Sequence, residues 1–176
     1  SKDMFNFRTT NKIYLNKFSK TLCGKTRKKH FKGVLDVVNR FLEIIRPKNI
    51  FLGNKDFQQL ILIKKHIKKR NIKTKVIACA TVREKNGVAC STRNKRLTHN
   101  QFKIASNVYS YLKNKKKSPD IFKLNYKDSL FKLGVSKIDY LEILNLKTLK
   151  KPKKLNEKFS IFIAYYLGKI RLIDNI

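Results

Sequence analysis

The ten residues FLGNKDFQQL, 51 to 60, set Gly53, Asn54, Lys55, Asp56, Gln58 and Gln59 between two apolar runs, 50–52 and 60–63. That pattern predicts a strand, a sharp turn and the opening of a helix. In a parallel α/β sheet such a turn lies at the carboxyl end of a strand, where these sheets place their ligands. Gly53 has no Cβ, so another group can approach its backbone closely. The first N–H groups of the helix have no partner within it, and its dipole adds partial positive charge. Lys55 adds a full one, so the turn could hold an anion such as a phosphate. Asp56 would repel phosphate but can accept hydrogen bonds from hydroxyls, for example those of a ribose. On a continuous helix Gln59 would stand beside Lys55 and Asp56 and face the same ligand, with Gln58 pointing elsewhere. The combination suggests a nucleotide and a polar co-substrate. The plainer reading is that Asp56 caps the helix and Lys55 is solvated. The decapeptide leaves both open.

Two further clusters could meet phosphate. In VACSTRN, 88–94, Ser91 and Thr92 supply hydroxyls and Arg93 a planar donor fork. In CGKTRKKHFKG, 23–33, Gly24, Arg27, His30 and Gly33 precede a helical pattern. An ordinary solvent loop and a basic loop are the respective alternatives.

The elements that must position these residues follow from periodicity. Apolar residues recur at helical spacing from Val34 to Ile45, and Pro47 should end that helix. NIFLG reads as a buried strand, 55–69 as a helix and 75–80 as a strand. Ile13, Tyr14 and Leu15 suggest a short strand. Helix, strand, helix, strand is the rhythm of a parallel sheet. After Val82 the character changes. Asn86-Gly87 marks a tight turn, and Thr98 is a plausible N-cap for a helix running to about Lys115. A charged linker surrounds Pro119. A short helix near 127–133 precedes two strand-like segments, IDYLEILNL and FSIFIAYYLGKIRLI, separated by the basic insert KTLKKPKK. We expect two domains, 1–82 and 83–176: a partial α/β Rossmann-like unit, then a small α+β unit.

The 176 residues include 43 Lys+Arg against 11 Asp+Glu, a net charge of +32. Clustered cations suggest a polyanion partner. Lysine is nevertheless spread along the whole chain, together with abundant Ile, Asn and Phe, and compositional drift is the favoured explanation. The apolar runs are too short to span a bilayer, and SKDMFNFRTT has no signal-peptide core, so a soluble protein is expected. Cys23, Cys79 and Cys90 are odd in number and widely spaced, and the histidines are scattered. No disulfide framework or metal cluster is expected, and a reducing cytoplasm is the natural compartment.

Taken together, GKTRKKHFKGV, LGNKDFQQL, REKNGVACSTRNKRL and GKIRLIDN resemble, in order, four segments of the pantothenate synthetases, the AMP-forming pantoate–β-alanine ligases. The likeness runs from about Tyr14 to Asn175. It implies a nucleotidylyltransferase-like Rossmann domain, a smaller C-terminal domain and a homodimer. The implied reaction starts with attack of pantoate on the α-phosphate of Mg-ATP, giving pantoyl adenylate and pyrophosphate. The amine of β-alanine then attacks the acyl carbon and AMP leaves. By the same resemblance Lys55 and Arg93 are the catalytic cations. Gly53, Asn54, Lys55 and Asp56 line the ATP site, with Asp56 near the ribose. Val82 lies near the adenine, and Cys90, Ser91, Thr92 and Arg93 correspond to the K-M-S-K-S loop of aminoacyl-tRNA synthetases. Gln59 holds pantoate, and Arg27 and His30 match a basic pair near the co-substrate. No protein metal site is implied.

Asn54 stands where the family usually has Glu, Cys90 where it has Met or Leu, Thr92 where it has Ser, and Lys28 where it has Pro. The family's opening P-T-M-G-x-L-H-x-G-H motif has no counterpart here, nor do roughly 100 accompanying residues, about a small domain's worth. We therefore expect a C-terminal portion with little ligase activity alone, completed by a separate N-terminal piece if the gene is split. The alternative is a nucleic-acid-binding module on a decayed enzyme. Poor aromatic interleaving in the lysine runs argues against more than non-specific binding.

Overall fold

The structure is a computed structural model that describes residues 6, 9–122 and 126–176. The opening stretch SKDMFNFRTT, expected to lack a signal-peptide core, lies mostly outside them. The chain divides into two compact units, Ser1–Ala80 and Thr81–Ile176. No helix among the described residues is long and apolar enough to cross a membrane.

The first unit alternates helix and strand. After a short helix α1, Cys23–Thr26, come α2, His30–Ile45, β1, Asn49–Gly53, α3, Phe57–Lys69, and β2, Lys75–Cys79. The two strands pair in parallel, from Asn49 opposite Lys75 to Gly53 opposite Cys79. Helix α2 begins one turn earlier than the apolar pattern predicts. It ends where expected, at Ile45, with Arg46 in a left-handed conformation just before Pro47. Leu35 and Leu42 of α2 meet Ile63 and Ile67 of α3, and Ile50, Leu52 and Val76 of the strands pack against them. Burying each such side chain contributes about 1.5–3 kcal/mol. β1 is not a buried strand as its apolar sequence suggests. Only Ile50 and Leu52 turn to this core, and Phe51 on the opposite face is 68% exposed.

The expected strand at 13–15 does not form. Its backbone is claimed by side chains instead. The Tyr14 N–H donates to Nδ1 of His66 at 3.1 Å, and the Lys12 carbonyl accepts from Nε of Arg70. His66 is fully buried. Since Nδ1 accepts, Nε2 carries the proton and donates to Oδ1 of Asn39, 2.9 Å away. Asn39, also fully buried, donates through Nδ2 to the Asn11 carbonyl and to Glu43. Glu43 further accepts from the N–H groups of Thr10 and Asn11. Burial raises the Glu43 pKa, but the bonds from Thr10 and Asn11 prevail and hold it below the ordinary carboxylate value.

The second unit begins with a bridge between Arg83 and Ala89 around the turn at 84–87. Helix α4, His99–Lys115, starts with the expected Thr98 cap, made reciprocal by Gln101. After α5, Lys127–Lys132, an antiparallel sheet runs in the order β3, β4, β5, comprising Lys137–Asn145, Phe159–Leu167 and Ile170–Asn175. The run FSIFIAYYLGKIRLI is thus two strands rather than one. Gly168, at φ +58°, and Lys169 turn the chain between Leu167 and Ile170. β4 is the middle strand and is buried on both faces, so its unbroken apolar sequence hides the turn that follows. Ile161, Ile163 and Leu167 meet Val108 and Leu112 of α4 and Leu130 of α5.

Arg83 closes this unit. Its guanidinium grips the Asp174 carboxylate through two bonds, 2.7 and 3.0 Å, and also donates to the carbonyls of Gly87 and Asn175. Its charged carbon stands 4.4 Å from the Tyr109 ring centre. Nε of Arg171 donates to Asp139, which occupies the irregularity between Ile138 and Tyr140.

Two consequences can be measured. Burial and the neighbouring Arg70 push the His66 pKa below its ordinary value, against an opposing pull from Glu43. The unfolded chain takes up this proton near pH 6.5, the folded chain only lower. The stabilisation is therefore complete above about pH 6.5 and is lost as pH falls through the lowered value. Amide exchange of β2 should accelerate between pH 7.5 and 5.5, after correction for intrinsic rates, and this excess should vanish in His66→Gln. Asp174→Asn should destabilise the second unit by about 2–3 kcal/mol, because it leaves Arg83 without a counter-charge. Exchange of the β5 amides checks this.

Candidate functional site

The strand-to-helix corner of the first unit is built from β1 and α3. The chain leaves Gly53 in an extended conformation, φ −69°, and makes one tight 3₁₀ turn over Asn54–Asp56 before α3 begins at Phe57. Gly53 needs neither a positive φ nor room for a neighbour, since a Cβ there would meet nothing within 4 Å. The space above it is open. Asp56 occupies the N-cap position, yet its side chain makes no capping bond, and its conformation, φ −94° and ψ 48°, is not helical. Its carboxylate is half exposed and stands 4.0 Å from Nζ of Lys55, whose side chain is only 18% exposed. Lys55 is thus held against the protein rather than fully solvated. Lys55 and Asp56 precede the helix and Gln59 lies in its first turn, so no continuous helical offset joins them.

Gln58 does point elsewhere. It is buried, and its Nε2 donates to the carbonyls of Phe18 and Thr21, both at 2.7 Å. This bond ties the segment before α1 to the first turn of α3. The Oε1 of Gln58 has no partner among the described residues. The tie bears on the third basic cluster. Gly24 there serves the fold, since a Cβ would fall 1.7 Å from the Ser19 carbonyl oxygen. Gly33 lies inside α2, and a Cβ on it would meet nothing. Arg27 and His30 are brought together: Nη1 of Arg27 donates to Nε2 of His30 at 3.0 Å. Because Arg has no acceptor, His30 must present an unprotonated Nε2 in this pair. Lys29 between them is left-handed, φ +64°.

The Ser91 loop lies in the second unit. The Cys90 N–H donates to the Val82 carbonyl at 2.9 Å, while the Val82 side chain is 71% exposed. The hydroxyl of Ser91 accepts from the Arg93 N–H and so starts the 3₁₀ turn Thr92–Arg96. Thr92 and Arg93 are exposed. Reasoning from residue types missed Asn94, which holds this loop by donating to the Ala89 carbonyl at 3.1 Å. Its Oδ1 is buried and has no partner among the described residues. The signal was present, since Asn94 directly follows the Ser-Thr-Arg triplet. Arg83, Arg171 and Asp174, by contrast, stand inside motifs that look functional but are engaged in holding the unit together.

The corner and the loop have the makings of two anion-facing surfaces: a helix start that the Asp56 side chain leaves uncapped, beside Lys55, and a hydroxyl-started turn carrying Arg93. Comparison with known proteins gives a consistent picture. The sequence model described as pantoate-beta-alanine ligase matches residues 1–176. The pantothenate synthetase of Francisella tularensis subsp. novicida (strain U112) is 39% identical over 152 residues, covering 86% of this chain and 52% of that protein. The pantothenate synthetase of Clostridium botulinum (strain Loch Maree / Type A3) is 36% identical, covering 94% and 63%. The chain thus spans from about half to just under two thirds of these relatives' length. Among solved structures, the pantoate-beta-alanine ligase of Francisella tularensis, complexed with beta-gamma ATP and beta-alanine, superposes with a TM-score of 0.76 at 35% identity, covering 97% of this chain and 58% of that one. The pantothenate synthetase of Thermus thermophilus gives 0.80 at 25% identity, covering 95% and 63%. These relatives are ligases and lend no support to a nucleic-acid-binding module. The chain belongs to the pantoate-beta-alanine ligase family.

Proposed function

We propose that this chain contributes the ATP- and pantoate-facing residues of a ligase that joins pantoate to β-alanine. The observation that carries the reading is the open space over Gly53, at a strand-to-helix corner where the Asp56 side chain does not cap α3. A family relative solved with beta-gamma ATP and beta-alanine supports the choice of ligands. Residues 1–82 would form the ATP- and pantoate-binding part and residues 83–176 the small second domain. A homodimer in the cytoplasm completes the reading, and the unbridged thiols of Cys23, Cys79 and Cys90 suit a reducing compartment.

In the first step a pantoate carboxylate oxygen bonds to the α-phosphorus of ATP, and the bond to pyrophosphate breaks. Lys55, together with the helix N–H groups, would balance the charge gathering on the phosphates. Asp56 accepts from a ribose hydroxyl, which its half-exposed carboxylate is able to do, and Gly53 and Asn54 give the nucleotide its bed. Gln59 orients pantoate, and Arg27 with His30 stands near the co-substrate. Arg93 meets the phosphates from its own loop, which Cys90, Ser91 and Thr92 shape, with Val82 near the adenine. In the second step the β-alanine nitrogen bonds to the acyl carbon, the acyl–phosphate bond breaks to release AMP, and the amine gives up a proton. The protein supplies position and charge rather than a nucleophile. The corner offers a single carboxylate, Asp56, and Mg2+ is read as arriving on the phosphates of ATP.

Titration with Mg-ATP and with pantoate, read at the amide resonances of residues 53–59, tests this. Lys55→Ala should weaken binding about tenfold or more, equivalent to about 1.4 kcal/mol. Gln59→Ala should leave ATP binding unchanged while weakening pantoate. Undiminished ATP binding by Lys55→Ala would remove the basis of the reading.

A further inference from the structure

The lysine run 113–117 takes no part in the chemistry above. Within the second unit it borders a groove of about 750 Å3, a size typical of small-molecule sites. Lys113 lies in the last turn of α4, Lys116 and Lys117 directly follow it, and Lys158 is the residue before β4. Leu146 and Leu155 give the groove an apolar surface, Leu155 being 49% exposed. A helix end welcomes cations, which accounts for those lysines that simply face water. It does not account for Lys158, which arrives from another element, or for Lys116. The Lys116 ammonium is part-buried, 5.7 Å from the centre of the Phe159 ring, and burial pushes its pKa down. No ion pair to any of the four is found among the described residues. The one carboxylate side chain lining the groove, Glu157, is turned to neutral donors, the N–H groups of Lys153 and Lys154 and the amide of Asn145, and forms no ion pair with the four lysines. Arg83, also at the groove, is taken by Asp174. Four ammonium groups therefore share one concavity with the single carboxylate side chain of Glu157, a surplus of positive charge beside an apolar surface.

We propose that this groove binds an organic polyphosphate of the nucleoside triphosphate class, its phosphates on Lys113, Lys116, Lys117 and Lys158 and its ring on Leu146 and Leu155. Charge complementarity selects the anion, and the clustering of the lysines about one groove, rather than along a track, selects a small molecule over a strand of nucleic acid. The site lies wholly in the second unit and does not depend on Lys55.

The experiment titrates the isotope-labelled full chain, carrying Lys55→Ala, with inorganic tripolyphosphate and with ATP, and follows amide resonances. Saturable shifts at Lys116, Lys158, Phe159 and Ser160 are expected, with ATP tighter than tripolyphosphate. Lys116→Gln with Lys158→Gln should weaken this binding about tenfold or more while leaving the remaining spectrum in place. Changes confined to residues 53–59 or 90–93 would report on the ligase reading alone and would count against the groove. Non-saturating shifts across all lysine-bearing surfaces, undiminished binding in the double variant, or oligouridylate binding that tightens with length beyond ATP would each overturn the proposal.

Discussion

A polar group taken out of water must find its partners inside, and both units are organised around that requirement. In the first, His66 and Asn39 have no exposed surface at all. Both imidazole nitrogens and the Asn39 amide are therefore committed, one to the Tyr14 N–H, the other to Asn39, and the amide to Asn11 and Glu43. That chain of bonds fixes α2 against α3 and draws residues 10–14 onto them. In the second unit Arg83 plays the equivalent part, with Asp174 and two carbonyls.

The same rule makes the exceptions informative. Gln58 is anchored through its nitrogen while its oxygen goes unpaired among the described residues, and Asn94 shows the same asymmetry. Each stands within one turn of residues proposed to meet substrate, Lys55 to Gln59 and Ser91 to Arg93. The anchoring half of each amide shapes the loop. The unpaired half marks where the surroundings leave a buried acceptor unserved.

Much of this architecture was legible from the residues. The spacing of Leu35, Val38 and Leu42, the stop at Pro47 and the Thr98 cap each state a local rule that tertiary contacts do not override. What escaped depended on distant partners. Ile13 to Leu15 looks like a strand until His66, 52 residues away from Tyr14, claims its backbone. The β4–β5 turn is hidden because a strand covered on both faces shows no alternation to interrupt. The motif arginines at 83 and 171 show their structural duty only through the positions of Asp174 and Asp139. At the corner, residue types suggested an anion site, but the non-helical Asp56 that places Lys55 ahead of the helix is a matter of backbone angles that no side-chain pattern announces.

The grip of Arg83 on Asp174 spans 91 residues. During synthesis the bridge from Arg83 to Ala89, and the Ser91 loop hanging from it, must leave the ribosome long before their clamp does. The second unit must therefore wait for β5 before Arg83 finds its carboxylate. On this topology the Arg93 loop gains its clamp only once the last strand has been made.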